Sequence, residues 1–545
     1  MNYEQTSCEN SSISTSSRRD FLKIAGAAVC AAAGAATLGG CAPKLPQSGA
    51  EASTALSSEV AWDEETDVLV VGSGMAGLAS AVTVATEGEG ATCLLLEKGT
   101  SPLGGGNSQF SSGYVLWTED PENFLSYMKE LRGGFSATPD DVLEAYVTGI
   151  AENLDWVVSL GADTSDMIIG AVDGNPGEFG ELEFSDTSSS IRYDKDNSAS
   201  YKHVCQLLGN VVESRSDVIT QKTEAPLVAL VQDPETKAVL GGVYEEGGKT
   251  IYVKANKGVV MCTGGFESDP VMLQDYISVT QSHPVAALCN TGDGHRICMR
   301  LGADFWHMNA LAGMWTNGVA LDGSDFASYR SMLKEKGITV GVNGRRYYMD
   351  WDGCTTYEAQ PVGSDVSTHV GMRHGHTQFG GEWPHLPQPA VSWFVFDAKS
   401  QAEGAYGYGS GDPVADGFGY RADTIEELAQ AMEVPVDELV STVDRWNQCC
   451  AAGEDVFFHR PASTLTPIET APFYAVKCEP EILNTDGGPR RSAKGEILDV
   501  DGNPIPNLYS AGEFGSIWSN YYQGGGNLGE CCAFGRIAVR NILAK

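Results

Sequence analysis

A glycine-rich turn near the amino end is the feature that most constrains the fold of this chain. Residues 66–71 form a short, β-branched apolar run, and residues 78–87 have a helical composition. Gly72, Gly74 and Gly77 lie between them and would permit a tight turn, close approach of a pyrophosphate, and packing of the helix on the strand. The free amides and dipole of a helix start attract phosphate. The pattern predicts a Rossmann-like α/β fold that binds a dinucleotide.

The segment after this helix supports the same interpretation. Residues 92–96 form a second apolar run that ends at Glu97, 20 residues after Gly77, where a carboxylate can hydrogen-bond a ribose. A glycine-rich turn alone is a weak signal, whereas strand, turn, helix, strand and acid in this order are specific. They do not distinguish NAD from FAD. The contacts expected from this part of the chain are made by Gly72, Gly74, Met75, Ala76, Gly77, Glu97 and Lys98.

The size and charge of the chain narrow the class of protein. Its 545 residues, 42% of them hydrophobic, can bury a large core and form more than one domain. A formal net charge of −37 at pH 7 repels nucleic acid and anionic lipid, so we expect neither as a partner. The acidity does not identify a substrate.

The spacing of cysteines and histidines argues against a metal. The 14 cysteines include no Cys-x-x-Cys, so the common zinc, ferredoxin and c-type haem spacings are missing. His374 and His376 are two residues apart, but no acid cluster accompanies them, and we predict no metal there. An iron–sulfur cluster assembled from distant cysteines stays open as an alternative, without support from the spacing.

Residues 1–41 have the pattern of an export signal. Arg18 and Arg19 precede an apolar run that is too short and too rich in small residues to span a membrane stably. This segment resembles a twin-arginine (Tat) signal, which exports folded proteins. Its end resembles a lipobox, so we expect a lipid anchor on Cys41, with plain secretion as the alternative. Residues 42–61 would be a flexible linker. The protein is then expected at the outer face of the cytoplasmic membrane or in the periplasm.

Further glycine-rich and polar segments point to one cofactor. Seven of them, in the same order along the chain, resemble segments of the fumarate reductase/succinate dehydrogenase flavoprotein superfamily, which includes 3-ketosteroid dehydrogenases. The resemblance extends over residues 62–545. The segments are residues 104–108, 262–266, 291–294, 340–347, 484–488, 508–513 and 524–529.

This resemblance implies that the cofactor is FAD and that its domain is split in sequence. Residues 62–300 and 481–545 would form the FAD-binding domain, and residues 301–480 an inserted α+β capping domain. The active site would lie between cap and flavin. A final helix, residues 530–543, would stabilise a reduced, anionic flavin with its N-terminus. The further FAD contacts that the resemblance implies are Gly105, Gly106, Asn107, Ser108, Thr263, Gly264, Gly265, Asp293, Glu513, Asn527 and Leu528.

The basic residues that bind a dicarboxylate in fumarate reductases are replaced in this chain. Burying a dicarboxylate without cationic partners is very costly, which argues against fumarate, succinate and small acrylates as substrates. Arg330 or Arg373 in the cap would offer the alternative, a rebuilt carboxylate site in a fumarate- or urocanate-type reductase. The resemblance places the four replaced positions at Leu311, Cys354, Asn484 and Asn527.

The carboxyl end resembles 3-ketosteroid dehydrogenases instead. Residues 522–526 match their Tyr-x-Gly-x-Gly segment, in which the tyrosine hydroxyl and the last glycine amide hold a substrate carbonyl. A tyrosine, with a pKa of about 10, can donate to a developing enolate without itself being charged. We therefore expect Tyr522 and Gly526 to be catalytic. The alternatives are that Tyr522 only packs against the flavin, or that Tyr521 takes its place.

Together these features predict an exported FAD-dependent oxidoreductase that reduces, or forms, a C=C bond conjugated to a carbonyl. Hydride would pass through flavin N5, and Tyr347 and Tyr348 are weaker candidates for a proton donor. The aromatic residues of the cap suit a large apolar ligand, so a steroid-like enone or unsaturated lactone is the expected substrate.

The proposed export also bears on the electron donor. The exported, lipid-tethered and haem-free arrangement resembles respiratory reductases of anaerobic gut actinobacteria, including the digoxin reductase group. It implies electrons from a separate membrane or periplasmic cytochrome. The alternative outside enzymes is a flavin electron-carrier lipoprotein, against which a large cap argues.

Overall fold

The computed structural model describes residues 60–101, 106–133, 138–170, 179–180, 182–193, 203–279, 282–325, 327, 332–348, 350 and 389–545. Among these residues, no helix is both long and apolar enough to cross a membrane. The predicted signal and most of the linker lie outside the described residues. So do Cys41, Gly105, Arg330, Cys354, Arg373, His374 and His376.

Eighteen strands are formed by the described residues. In chain order they are β1 (Glu64–Val71), β2 (Cys93–Leu96), β3 (Val115–Trp117), β4 (Met167–Gly170), β5 (Ser189–Tyr193), β6 (Ile219–Lys222), β7 (Leu227–Gln232), β8 (Val239–Glu246), β9 (Lys249–Met261), β10 (Phe305–Trp306), β11 (Met314–Gly318), β12 (Ile338–Gly341), β13 (Ser392–Asp397), β14 (Gly419–Ala422), β15 (Phe473–Ile482), β16 (Gly488–Pro489), β17 (Glu496–Leu498) and β18 (Pro504–Ser510).

Eleven α-helices accompany these strands in the described part of the chain. They are α1 (Met75–Glu87), α2 (Pro121–Arg132), α3 (Asp140–Ala151), α4 (Asn153–Ser159), α5 (His203–Ser214), α6 (Pro270–Met272), α7 (Asp293–Arg300), α8 (Ala398–Ala402), α9 (Ile425–Ala431), α10 (Val436–Ala452) and α11 (Gly526–Leu543).

An eight-stranded sheet is built around β1. The path of the sheet is β17-β18-β9-β1-β2-β6, and β8 and β7 extend from β9. Strands β2 and β9 flank β1 in parallel. Val68 and Val70 belong to a buried cluster with α1 and α11, whereas Leu69 and Val71 belong to one with β7, β8 and α7. Burial on both faces explains why β1 is a continuous apolar run.

The chain leaves this sheet after β9 and returns to it at β17 and β18. Tyr509 of β18 lies opposite Val260 of β9 in a parallel pair. Helix α11 follows and packs on α1, where a Cβ on Gly535 would lie 3.0 Å from the Cβ of Ala79. The two ends of the chain therefore build one α/β, Rossmann-like unit.

A second, antiparallel sheet comes from the residues in between. Its path is β11-β15-β13-β12, and β14 also pairs with β15. Helices α9 and α10 cover it, because Leu428, Leu439 and Trp446 share a buried cluster with Ile338 and Trp393. Two small sheets, β3-β5-β4 and β10-β16, complete the described strands.

Two helix starts differ from the prediction in the same way. Helix α1 begins at Met75 rather than at residue 78, and α11 begins at Gly526 rather than at residue 530. Both follow a glycine N-cap, Gly74 and Gly525, and glycine is a permitted N-cap residue. The amides of each first turn, which have no partner within their own helix, therefore lie in or beside the glycine clusters.

Candidate active site

A cavity of about 870 Å³, including its open mouth, lies at the carboxyl ends of the parallel strands. Val71, Leu96, Cys262 and Ala511 line it, and they stand at or just after the ends of β1, β2, β9 and β18. Ligands of α/β sheets bind at this edge, beside a helix N-terminus. The position is therefore that of a nucleotide site.

Steric crowding explains two of the three glycines in the turn after β1. Gly72 has φ +98°, and a Cβ there would lie 2.3 Å from the carbonyl oxygen of Cys262. A Cβ on Gly77 would lie 1.7 Å from the carbonyl oxygen of Gly72. At Gly74 the closest atom would be Ser108 Oγ at 3.7 Å, so this glycine leaves open space beside the cavity that it lines. That space admits a phosphate against the backbone.

Glu97 is fixed at the cavity wall by three hydrogen bonds. One carboxylate oxygen accepts from the Ser73 N–H at 2.9 Å and from its hydroxyl at 3.0 Å, and the other accepts from the Gly99 N–H at 2.7 Å. Lys98 next to it donates to Asp293 at 2.6 Å. A rigid carboxylate at this point suits the diol of a ribose.

An unsatisfied hydroxyl marks the same cavity as a polar ligand site. Thr263 Oγ1 is buried and has no hydrogen-bond partner among the described residues. Buried polar groups are rarely left unpaired, and a dinucleotide offers many partners. A Cβ on Gly294 would lie 2.1 Å from this hydroxyl, so the absence of a side chain there leaves room for it. The residues present fit FAD.

The structure brings most of the predicted cofactor residues together and leaves a few outside the lining. Gly77, Gly265, Asn527 and Leu528 do not line the cavity. Those that line it are Gly72, Gly74, Met75, Ala76, Glu97, Lys98, Gly106, Asn107, Ser108, Thr263, Gly264, Asp293 and Glu513.

Several lining residues were missed by the sequence reasoning. They lie just before and at the start of β7, just before and within α7, and in α11, where the residue is a cysteine. Thr291 and Gly294 lie within the recognised segment 291–294 and Asn290 adjoins it, whereas the other residue types carry no cofactor signal. They are Ala225, Pro226, Leu227, Cys289, Asn290, Thr291, Gly294, Ile297 and Cys531.

Tyr522 and Gly526 meet at the start of α11, but the Gly526 amide is already paired. The Tyr522 hydroxyl accepts from the Asn527 N–H at 3.1 Å. The Gly526 N–H donates to the Gln523 carbonyl at 2.9 Å, which closes a tight turn before the helix. The Gly526 amide is therefore used by this turn, in contrast to the predicted two-donor clamp, and the catalytic role of Tyr522 stays a prediction. Tyr521 stacks on another ring, Phe179, at 4.8 Å.

Tyr347 and Tyr348 stack on each other, with ring centroids 4.7 Å apart. The Tyr347 hydroxyl is buried beside Ser392 of β13 and Thr316 of β11. Burial raises the pKa of both hydroxyls above the ordinary value, so both are weaker acids than an exposed tyrosine. This environment weakens the case for either residue as a proton donor.

Three of the four positions that bind a dicarboxylate in fumarate reductases lie within the described residues, and they contact neighbouring residues of the chain. Leu311 forms a β-bridge with Thr485. Asn484 and Asn527 both donate their side-chain amides to the same oxygen of Asp486, each at 3.1 Å. Burial, with a contribution from Glu530, raises the pKa of Asp486 well above its usual value. A buried acid held by two neutral amides thus stands at these positions.

Two buried histidines close to this network carry no charge at neutral pH. His295 contacts the Gly487 carbonyl at 2.9 Å, and His307 contacts the Ser516 carbonyl at 2.7 Å. Burial lowers the pKa of His295 to about 4 and that of His307 to about 3. Neither imidazole supplies a positive charge to a bound anion.

Comparison with known proteins agrees with this geometry. A family model described as FAD binding domain matches residues 67–528. The chain is 29% identical to the digoxin reductase of Eggerthella lenta over 97% of each chain. It is also 29% identical to the 3-oxosteroid 1-dehydrogenase of Mycolicibacterium smegmatis, over 54% of this chain and 53% of that protein. The predicted resemblance and the FAD cofactor are confirmed.

The fold is similar to that of a solved steroid enzyme. The 3-ketosteroid Δ1-dehydrogenase from Sterolibacterium denitrificans, solved with 1,4-androstadiene-3,17-dione, has a TM-score of 0.68 at 20% identity, over 88% of this chain and 100% of that one. This likeness confirms the predicted α/β fold. Because the family model spans most of its length, the chain belongs to the FAD binding domain family and is an FAD-dependent oxidoreductase that acts on CH–CH groups.

Proposed function

We propose that this protein is an exported, lipid-anchored reductase of a C=C bond conjugated to a carbonyl, in an apolar steroid-like enone or unsaturated lactone. Two relatives support the substrate class, because one is named a digoxin reductase and the other a 3-oxosteroid 1-dehydrogenase. Many aromatic residues between residues 301 and 480 suit a large apolar ligand.

The observation that carries the proposal is the network of Asn484, Asp486 and Asn527, in which neutral amides bind a buried acid. Among the described residues, a carboxylate substrate placed there would meet an acid and two amides rather than a cation. Arg491 is no substitute, since it is fully buried against Glu530 at 3.2 Å and donates to backbone carbonyls. An unpaired buried carboxylate is costly, whereas a neutral carbonyl pays no such penalty.

Each side chain of the site has a role in this reaction. Bound FAD supplies the hydride. The turn from Gly72 to Gly77 would hold its pyrophosphate, and Glu97 would hold its ribose. The Tyr522 hydroxyl donates to the substrate carbonyl oxygen as negative charge develops on it. The first turn of α11 adds the positive end of a helix dipole.

The proposed direction and electron donor follow from the proposed export. Outside the cytoplasm NADH is absent, so a separate membrane or periplasmic cytochrome would deliver the electrons, and reduction is the favoured direction. Mass spectrometry of the mature N-terminus tests the localisation. A diacylglycerol group on Cys41 supports it, and a mature protein without that group overturns the anchor.

A substrate panel tests the reaction itself. The purified holoenzyme is assayed anaerobically with reduced viologen against steroid enones, unsaturated lactones, fumarate and urocanate, with flavin reoxidation as the readout. We expect turnover of an enone or lactone only. Fast turnover of fumarate or urocanate, with no turnover of any enone, would identify a carboxylate reductase. Reoxidation by redox proteins alone would identify an electron carrier.

A further inference from the structure

Two glutamates lie together at the wall of the FAD cavity. Glu513 lines the cavity after β18, and Glu267 is fully buried after β9. Asn107, which also lines the cavity, binds both of them. Its side-chain amide donates to Glu267 at 2.7 Å and to the two oxygens of Glu513 at 2.9 and 3.0 Å. The carboxyl groups thus share one donor.

Gly265 shows how closely the two carboxyl groups approach each other. A Cβ on this glycine would lie 2.5 Å from an oxygen of Glu267 and 2.6 Å from an oxygen of Glu513. The remaining side-chain donors to Glu267 are also neutral: the Asn290 amide at 2.7 Å and the Thr485 hydroxyl at 3.1 Å. Within the described part of the chain, neither glutamate forms an ion pair with a lysine, arginine or histidine.

The groups around this pair are mostly acidic or already paired. Asp486, after β15, adds a third buried carboxyl, and one of its oxygens has no hydrogen-bond partner among the described residues. On α11, Glu530 pairs with Arg491 of the β16–β17 turn. On the cavity side Glu97 is bound by backbone amides, and Lys98 pairs with Asp293 of α7. The imidazole of His295, also on α7, is neutral.

Two carboxyl groups without a cation cannot both ionise at low cost in a buried site. Two such groups in contact titrate as one coupled pair. Burial raises the pKa of Glu267, and burial together with the charge of Glu267 raises that of Glu513. Because Glu513 lines the FAD cavity, a change in the charge of the cofactor acts directly on this pair.

We propose that Glu267 and Glu513 share one proton beside oxidised FAD and take up a second proton from solvent when FAD is reduced. Two electrons and one proton convert FAD to its anionic reduced form. The added negative charge draws one further proton onto the carboxyl pair, so two electrons enter with two protons in total. Reoxidation of FAD releases that proton. The proposal concerns the cofactor and is independent of the substrate.

The pH dependence of the flavin midpoint potential tests this proposal. Each proton taken up with two electrons changes the potential by about 30 mV per pH unit. In spectroelectrochemical titrations of the holoenzyme between about pH 6 and 8, we expect a change of about 60 mV per unit for the wild type and about 30 mV for Glu267→Gln. A matched control is Glu481→Gln, because Glu481 is a buried glutamate of β15 that is bound by the Asn317 amide rather than by Asn107. It should behave as the wild type.

Two results would overturn the proposal. One is a change of about 30 mV per unit in the wild type. The other is a midpoint potential that still changes by about 60 mV per pH unit in Glu267→Gln, which would put the second proton on the flavin. If Glu267→Gln fails to hold FAD, proton uptake by the wild type during electrochemical reduction in weak buffer decides the matter. Uptake of two protons per FAD, with the absorbance spectrum of an anionic reduced flavin, supports the pair. Uptake of one proton, or the spectrum of a neutral reduced flavin, overturns it.

Discussion

Asn527, in the first turn of α11, donates its side-chain amide to Asp486 across 3.1 Å. The backbone N–H of the same residue donates to the Tyr522 hydroxyl, also at 3.1 Å. One asparagine therefore positions both the phenol that we expect to bind the substrate oxygen and a buried acid. A neutral amide satisfies that acid without adding a charge, which keeps this end of the site suited to an uncharged ligand.

Removal of the Tyr522 hydroxyl tests its role in catalysis. We expect Tyr522→Phe to lower kcat for enone reduction by about 10²- to 10³-fold, because a donor to the developing enolate oxygen is lost. FAD content, measured by absorbance, should be retained. Tyr521→Phe is the matched control, since its ring stacks on Phe179 and kcat should be nearly unchanged. Equal losses in both variants would indicate a packing effect rather than a role of the hydroxyl.

The turn after β1 allows backbone strain to be separated from crowding. Gly72 and Gly90 have similar φ angles, +98° and +94°, but only Gly72 is crowded by the Cys262 carbonyl. Gly90→Ala should cost about 1 to 2 kcal/mol of unfolding free energy and leave FAD bound. Gly72→Ala should lose most of its FAD as well, because the turn must shift away from the end of β9. Equal FAD content in the two purified variants would contradict this.

The sequence predicted residues whose type is dictated locally and missed those whose role arises from distant contacts. Gly72 and Gly77 were predictable because strand, turn and helix impose their steric demands within a few residues. Glu267 belongs to no motif and gains its role only by meeting Asn107, which is 160 positions away in the chain.

The Gly526 amide differs from the prediction because of a local contact rather than a distant one. The segment resembles one with a free glycine amide, but a local turn captures that amide with the Gln523 carbonyl. The segment does lie at the start of the last helix. The sequence pattern indicated this position. It did not predict which donors the backbone would use for itself.

Two adjacent arginines in the predicted cap should differ sharply in their effect on stability. Arg346 is buried and binds Asp350 at 3.2 Å and Asp455 at 2.9 Å. Its neighbour Arg345 is 60% exposed and pairs with Glu438. Arg346→Ala removes the arginine that pairs with the buried Asp455 and one of the two that pair with Asp350, which still binds Arg460, and should cost about 3 to 5 kcal/mol. Arg345→Ala should cost less than about 1 kcal/mol. Thermal and denaturant unfolding of the holoenzymes measure both, and similar losses would refute the distinction.

The buried pair of Glu530 and Arg491 leads to a prediction about pH. Burial raises the pKa of Glu530 from 4.5 to about 7, although Arg491 and the Ser516 hydroxyl partly offset this effect. The unfolded carboxyl releases its proton near pH 4.5, and the folded one only near pH 7. The stability that this proton affinity contributes is therefore complete below pH 4.5 and is lost as the pH rises through 7.

Glutamine at position 530 cannot titrate and resembles the protonated acid. Between about pH 5 and 8, the unfolding free energy of Glu530→Gln should rise relative to that of the wild type by about 3 kcal/mol. Denaturant titrations of both holoenzymes at the two pH values measure this difference. If Glu530→Gln is instead destabilised equally at both, Glu530 is ionised throughout. The ion pair with Arg491 then outweighs the cost of burying the carboxylate.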